Sequence, residues 1–243
     1  MVNVARNVID APGTPESAWR AWPGLGQLPV LDAAEWASAV VVAAHPDDEV
    51  LGAGGTIAAL AARGARLRLV TLTDGEASHP HLREESIAPR RTAETLAALR
   101  ALGAGDTEVI RLGLPDSGLA AHEHDVTARL QELAWGFDLL LAPWDQDAHP
   151  DHEVAGRAAR AARSGEGTLW YPVWMWHWAR PGDPRVPWHA AGRVPLRRRV
   201  AACKRRAIGC FASQLQDRSG TQGPVLPAGI VAHFTRNIEV FLR

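Results

Sequence analysis

The chain of 243 residues contains only two Cys, one Tyr and four Phe. Two Cys are too few for the disulfide framework of a small secreted domain, and they favour a reducing compartment. An excess of one charge is also missing, because 26 Lys and Arg stand against 27 Asp and Glu, a formal net charge of -1. Such a balance argues against a non-specific binder of nucleic acid or of a membrane surface.

Long hydrophobic runs are missing as well. The longest candidate, residues 37–44, is far shorter than the roughly 20 apolar residues that a membrane span needs. No hydrophobic segment follows Arg6, so we expect no signal peptide and a cytoplasmic protein. Hydrophobic residues nevertheless make up 47% of the chain and charged residues 22%, which is typical of a folded protein with a sizeable core.

Apolar runs alternate with helical patterns from residue 38 to 163. This alternation predicts an α/β fold with a mostly parallel sheet and helices on both faces. Strands are expected at 39–44, 67–73, 108–112 and 138–142, with helices at 46–63, 92–102, 125–135 and 153–163. Further elements are expected at 168–178 (strand), 196–211 (helix) and 231–240 (strand). We predict one domain over 1–243, with an irregular lead-in at 1–37 and a divergent C-terminal part at 164–243.

Two loops of this predicted sheet carry nearly the same six residues. His-Pro-Asp-Asp-Glu-Val stands at 45–50, after the first strand, and His-Pro-Asp-His-Glu-Val stands at 149–154, after the fourth. A Pro at the first helical position ends each strand loop sharply and places the following acids in the first helical turn. Ligands of such sheets bind beyond the carboxyl ends of the strands, where both loops are expected.

The residue types in these loops indicate a metal site. His45 and Asp48 are three residues apart and can hold one ion from the first loop, while His152 approaches from the second. Two His and one carboxylate form a common catalytic zinc set that leaves a fourth position for water. We therefore predict one Zn²⁺ per chain on His45, Asp48 and His152, with other divalent metals left open.

The remaining polar residues of the two loops are candidates for catalysis. A metal lowers the pKa of a bound water to about 7, so Asp47 suffices as the general base. His149 is free to hydrogen-bond a substrate oxygen or to protonate a leaving amine, and Asp151 is expected to orient its ring. A turn rich in acids is often only a capped helix, but its repetition at two strand ends favours a site.

These motifs resemble those of the LmbE-like, or PIG-L, zinc-dependent N-deacetylases. The resemblance is carried by AHPDDE at 44–49 with Gly52, by HPDH at 149–152, and by residues 54–76. Arg91 with Glu94, the segment 94–103 and Asp-Ser-Gly at 116–118 resemble the branch of the family that acts in mycothiol biosynthesis. The resemblance covers roughly residues 38–163.

The resemblance implies a Rossmann-like fold and hydrolysis of an acetamide on a glucosamine-type sugar by a single metal ion. It implies the same roles for the residues of the two loops, and it places Arg91 and Asp116 against the sugar and its substituent. One departure stands out. The active-site Tyr of the mycothiol enzymes is matched here by Asp147, and a carboxylate cannot replace a phenol as a neutral donor.

Tryptophan is the abundant aromatic residue, with ten in the chain. Trp170, Trp174, Trp176 and Trp178 would share one face of the strand expected at 168–178. That face is either an aromatic wall for a sugar or a core or dimer contact. Trp144, just before the second loop, is the Trp expected to contact substrate.

Three functional hypotheses remain at this point. The leading one is a metal-dependent hydrolase that removes an acetyl or small acyl group from an N-acyl amino sugar. The alternatives are an amidase on a thiol-sugar conjugate or a longer-chain N-acyl glycoside, and a sugar-binding module with a degenerate site. We expect a small-molecule partner, no nucleic acid and no membrane, and leave a homo-oligomer open. The two His-x-His pairs, at 79–81 and 122–124, have no third ligand in phase.

Overall fold

The computed structural model describes residues 8–9, 11–79, 84–163, 167–217 and 223–243. The described part contains one seven-stranded sheet with the strand order β3-β2-β1-β4-β5-β7-β6. The strands are β1 Ser38–Ala43, β2 Arg66–Thr73, β3 Glu108–Leu114, β4 Leu139–Pro143, β5 Thr168–Tyr171, β6 Ala191–Pro195 and β7 Ile238–Leu242.

The α-helices are α1 Glu16–Ala21, α2 Gly24–Gln27, α3 Asp48–Ala61, α4 Glu84–Leu102, α5 Glu123–Leu133, α6 Pro150–Ala162, α7 Met175–Trp178, α8 Arg198–Ile208, α9 Ala212–Leu215 and α10 Ala228–Ala232. The five longer helices, α3, α4, α5, α6 and α8, each come after a strand in the chain. Among the described helices, none combines the length and the apolar character needed to cross a bilayer.

Strands β1 to β5 are all parallel, which confirms the predicted α/β fold. β1 is buried along its whole length because its Val-rich run is covered on both faces. The chain moves outward from β1 to β2 and β3, and then returns to β4 on the other side of β1. Right-handed crossovers therefore place α3 and α4 on one face and α6 on the opposite face.

The reversal of direction beside β1 determines where the functional loops meet. β1 pairs with β4 directly, with Val40 opposite Leu140. The loop after β1 and the loop after β4 consequently leave the same sheet edge from neighbouring strands. A crevice opens at such a switch point in doubly wound sheets.

The C-terminal part adds two antiparallel strands to the same sheet, β7 beside β5 and β6 beside β7. Glu239 of β7 reaches α3, where its carboxylate accepts hydrogen bonds from the backbone N–H groups of Gly55 and Thr56 at 2.6 and 2.8 Å. The Lys204 ammonium lies 2.6 Å from the same carboxylate, and both side chains are buried. This buried ion pair fastens β7 and α8 to the middle of α3.

Two of the predicted C-terminal elements are wrong. The strand expected at 168–178 ends at Tyr171, and residues 175–178 form the helix α7 instead. The four Trp therefore do not form one face of a strand. The strand expected at 231–240 is divided between helix α10 and strand β7. β6 was not predicted at all, because its five residues include Gly192 and Pro195 and show no apolar alternation.

The lead-in was predicted to be irregular, and this is wrong for residues 16–27, which form α1 and α2. Trp19 is completely buried, and its indole N–H donates to the Trp176 carbonyl at 2.8 Å. Trp19 also contacts Trp22 and Trp188 edge-on or tilted, with ring centroids about 6 Å apart. The aromatic residues of the lead-in thus form part of the core, since their large apolar area is best removed from water.

Glu16 fixes α1 to the C-terminal part of the chain. Its carboxylate accepts from Arg236 Nε at 2.9 Å and lies 2.9 Å from His233 Nδ1. Burial opposes ionisation, but the hydrogen bonds from His233 and Arg236 outweigh it and lower the pKa of Glu16 to about 2.

This pKa shift predicts a pH-dependent contribution to stability. A depressed carboxyl pKa stabilises the fold above the ordinary value of 4.5, and the contribution is lost as the pH falls toward 2. Glu16→Gln should therefore lower the free energy of unfolding by about 1–2 kcal/mol at pH 7, with the difference shrinking below pH 4.5. Urea denaturation at several pH values measures this. Glu35→Gln, at an exposed position, is the control, and an equal loss at pH 7 and pH 2.5 would contradict the assignment.

Candidate active site

A cavity of about 180 Å³ lies at the carboxyl edge of the sheet, between the loops that follow β1 and β4. Its polar lining consists of His45, Asp47, Asp48, Ser78, Arg91, Asp116, Ser117, His149, His152 and Gln214. Its apolar wall consists of Leu51, Val173, Trp174, Val225 and Leu226. The cavity is thus polar where the two repeated motifs meet, and four of the five apolar wall residues come from the C-terminal part.

The two motifs do not turn in the same way. In the second loop Pro150 is the first residue of α6, as predicted. In the first loop the prediction is wrong, because α3 begins at Asp48 and Pro46 stays outside the helix. Asp47 takes φ 121°, a backbone conformation that few residues other than Gly adopt, and its carbonyl accepts the N–H groups of Val50 and Leu51.

The three predicted metal ligands lie together. Asp48 lies between the two imidazoles, with its Oδ2 3.7 Å from His45 Nδ1 and its Oδ1 3.3 Å from His152 Nε2. A backbone hydrogen bond from His45 N to Asp48 Oδ2, at 2.8 Å, closes the turn. The ring nitrogens of His45, His149 and His152 also fall within 4.8 Å of one another. Nitrogen and carboxylate donors at this spacing fit a divalent ion such as zinc.

The ring of His152 is oriented by Asp147. Asp147 Oδ2 lies 2.8 Å from His152 Nδ1, and both side chains are buried. The Asp147 carboxylate accepts the Nδ1 proton and turns Nε2 toward Asp48, where its lone pair would be available to an ion once Nε2 is deprotonated. Burial opposes protonation of His152, but Asp48 and Asp147 outweigh it and raise the pKa to about 9 in the metal-free chain.

Asp151 does not orient His149 through its carboxylate, so that prediction is wrong. Its carboxylate accepts from the backbone N–H groups of Ser117 and Leu119 at 2.7 and 3.2 Å, and Oδ2 lies 3.3 Å from His45 Nε2. His149 Nδ1 instead accepts the backbone N–H of Asp151 at 3.3 Å. The two N–H groups belong to the loop after β3. The spacing of residues within HPDH could not predict this contact, because the donors lie in a distant part of the chain.

Asp116 lines the cavity, but it also contacts His45, one of the candidate metal ligands. Its Oδ1 lies 3.2 Å from His45 Nε2, on the side of the ring away from Asp48. Its Oδ2 accepts the backbone N–H of Ala77 at 2.9 Å. Asp116 and Asp151 therefore both hold the outer nitrogen of His45, a contact that the resemblance did not indicate.

Arg91 lines the cavity and pairs with Asp47. Its guanidinium is 2% exposed, lies 3.1 Å from Asp47 Oδ2, and donates to the Pro46 and Gly75 carbonyls. Gly75 is required here, since a Cβ would fall 2.3 Å from Arg91 Nη1. Burial raises the pKa of Asp47 above its ordinary range, although the positive charge of Arg91 opposes this effect.

His149 is a neutral imidazole in this environment. Burial, followed by repulsion from His152 and His45, lowers its pKa to about 3. Since Nδ1 accepts the Asp151 N–H, the single ring proton resides on Nε2. His149 therefore offers a neutral N–H donor to the cavity.

Trp144 was expected to contact substrate, and the structure does not bring it to the cavity. It is 2% exposed and stacks on Trp178, with ring planes at 16° and centroids 6.2 Å apart. Trp174 is the Trp that lines the cavity. Gln214, Val225 and Leu226 also line it without any sequence signal, because they lie outside the strand-end loops.

Among the residues that the structure describes, neither His-x-His pair contributes a side chain to the cluster. His79 is buried, with its Nδ1 3.0 Å from Ser78 Oγ, and His81 lies outside the described residues. His122 lies 3.8 Å from Asp125, one helical turn away, and His124 is exposed.

Comparison with known proteins gives consistent results. The family model described as PIG-L, GlcNAc-PI de-N-acetylase, matches residues 40–163. A Streptomyces avermitilis protein named 1D-myo-inositol 2-acetamido-2-deoxy-alpha-D-glucopyranoside deacetylase is 33% identical over 67% of this chain and 66% of its own length. A Catenulispora acidiphila protein, which carries the same name followed by the number 1, is 40% identical over 68% of this chain and 59% of its own length.

Among solved structures, the conserved protein TT1542 from Thermus thermophilus is similar to this chain. It superimposes with a TM-score of 0.61 and 27% identity, over 84% of this chain and 93% of that one. The sequence resemblance stated above is thus confirmed. The chain spans about two thirds or less of the length of the two curated relatives.

The geometry predicts that the purified protein binds one divalent ion per chain. His152→Ala should lower the metal content, because it removes one of the three predicted ligands, whose Nε2 lies 3.3 Å from Asp48 Oδ1. His124→Ala, on an exposed side chain, is the matched control and should bind metal like the wild type. Elemental analysis after equilibration with zinc measures both, and an unchanged stoichiometry in His152→Ala would remove this residue from the ligand set.

Proposed function

The chain belongs to the PIG-L family, and we propose that it is a zinc-dependent hydrolase that removes an acetyl or small acyl group from the nitrogen of an N-acyl amino sugar. The observation that carries the proposal is the position of Asp48 between His45 and His152. The neighbouring carboxylate of Asp47 pairs with Arg91 and is not one of the predicted metal ligands. This arrangement provides an ion site and a base in one cavity.

His45, Asp48 and His152 would hold the ion. A bound zinc ion supplies Lewis acidity toward the amide carbonyl oxygen and toward an attacking water. Asp116 and Asp151 fix His45 from its outer nitrogen, and Asp147 fixes His152 in the same way. Carboxylates in these positions raise the basicity of imidazole ligands and lock their orientation.

Asp47 is the general base of the proposed reaction. Its raised pKa makes it a better proton acceptor than an exposed carboxylate, and its contact with Arg91 keeps the carboxylate in place. Asp47 takes the proton of the attacking water as the C–O bond forms. It then returns this proton to the nitrogen as the C–N bond breaks and the free amine departs.

His149 stabilises the charge that develops on the carbonyl oxygen. A neutral imidazole with its proton on Nε2 donates a hydrogen bond without first having to gain a proton. The pKa of about 3 favours this role over that of a general acid in the metal-free chain. Both roles were left open by the sequence.

The cavity favours a substrate that is polar on one side and apolar on the other. Asp116, Ser78 and Ser117 offer hydroxyl and carboxylate groups of the kind that bind sugar hydroxyls. Val173, Trp174, Val225 and Leu226 of the C-terminal part supply most of the apolar lining. An amino sugar with an apolar substituent on its nitrogen or its aglycone fits this division, which also keeps the longer-chain N-acyl glycoside as an alternative substrate.

Asp47→Asn should retain the metal and lose most of the activity. Removing a positioned general base costs typically about 10²–10⁴-fold in kcat, while the ligands of the ion are unchanged. Zinc content and kcat are measured on the same preparation. The base assignment is wrong if this variant keeps a kcat near that of the wild type.

The proposed reaction is tested by a screen for primary-amine release over N-acyl glucosamine derivatives that differ in acyl length and aglycone. The zinc-loaded protein should release amine from at least one N-acetyl derivative, and Asp47→Asn should not. A rate that rises with acyl length would favour the longer-chain glycoside. Binding of these sugars without any amine release would favour a non-catalytic sugar-binding module.

A further inference from the structure

Asp147 lies behind the cavity and is completely buried. Its carboxylate accepts hydrogen bonds from four different N–H groups. One is the imidazole N–H of His152, at 2.8 Å, and the others are the backbone N–H groups of Val173, Trp174 and Met175, at 3.1, 2.9 and 2.8 Å. A buried anion is tolerated when both oxygens are satisfied in this way.

These four donors come from two separate parts of the chain. His152 belongs to the first turn of α6, whereas residues 173 and 174 connect β5 to α7 and Met175 is the first residue of α7. A single oxygen, Oδ2, receives both His152 Nδ1 and Trp174 N. In addition, the Trp178 indole N–H donates to the backbone carbonyl of Asp147 at 3.1 Å. The metal cluster and the apolar wall are therefore joined through one carboxylate.

The contacts explain why α7 forms where a strand was expected. The first N–H groups of a helix have no carbonyl partner within the helix, and here a distant carboxylate accepts them. Without it, residues 173–175 would have no other described acceptor for these N–H groups. The position of the Trp174 side chain at the cavity thus depends on Asp147.

We propose that Asp147 is a positioning residue that holds the metal-binding imidazole of His152 and the wall residues Val173 and Trp174 in one fixed relation, and that Trp174 packs on the apolar face of the substrate. The half-buried indole lines the cavity together with the metal cluster. The C–H face of a pyranose ring or an acyl chain matches its apolar surface. Only the Trp174 part of the proposal rests on the proposed function.

Asp147→Asn tests the positioning role without any substrate. The amide places N–H groups against at least one of the four donors, so zinc should bind more weakly and its Kd should rise by about 10–100-fold. Competition with a chelator measures this Kd. Asp138→Asn is the matched control. Asp138 also accepts a backbone N–H, from Ala37, but it precedes β4 and therefore lies at the sheet edge opposite the cavity. Its zinc Kd should equal that of the wild type.

Trp174→Ala tests the substrate contact. We expect KM for the N-acyl sugar found in the screen to rise by about 3–10-fold, the value of an aromatic contact, with an unchanged zinc Kd. Trp135→Ala is the control, because this Trp is 87% exposed on the surface. In Asp147→Asn the zinc Kd and the KM should rise together, because His152 and Trp174 both lose the carboxylate that holds them.

An unchanged zinc Kd in folded Asp147→Asn overturns the positioning role. If that variant does not fold, Asp147→Glu, which moves the charge by one methylene, is put through the same zinc competition with the same expectation. An unchanged KM in Trp174→Ala overturns the substrate contact. If the wild type releases amine from no sugar, the proposed function fails, while the zinc measurements still decide the role of Asp147.

Discussion

The adjacency of β1 and β4 is the constraint on which the candidate site depends. The two strands pair directly, so the loops that follow them leave the sheet side by side. Asp48 then lies within 4 Å of His45 from its own loop and of His152 from the other. Had another strand come between β1 and β4, strand spacing of about 4.8 Å would have moved the two imidazoles too far apart for one ion.

Carboxylates surround the candidate ion site on its outer side. The outer nitrogens of the two imidazoles contact carboxylates, Asp147 behind His152 and Asp116 with Asp151 behind His45. Asp147 in turn accepts backbone N–H groups from residues 173–175, and Asp151 accepts them from the loop after β3. The geometry of the ligands is therefore set by the chain at large and not by the two motifs alone.

The sequence was sufficient to predict the parallel sheet and the positions of both motifs, because buried Val and Leu runs and Pro-Asp turns act locally. It also placed His45, Asp48 and His152 together, since parallel strand ends share one edge. It could not predict the partner of Asp151 or the end of β5 at Tyr171. Both depend on hydrogen bonds between residues more than twenty positions apart, from Ser117 to Asp151 and from Met175 to Asp147. Trp144 was misassigned for the same reason, because only tertiary packing decides which Trp faces the cavity.

The backbone at residue 47 has an energetic consequence for the whole fold. A glycine would adopt φ 121° freely, whereas a residue with a Cβ in a sparsely populated conformation costs on the order of 1–3 kcal/mol. Substituting Gly for Asp47 would relieve this strain, but it would also leave the buried Arg91 guanidinium without its carboxylate partner. The backbone strain and the buried ion pair therefore act in opposite directions on the stability of the fold at this one position.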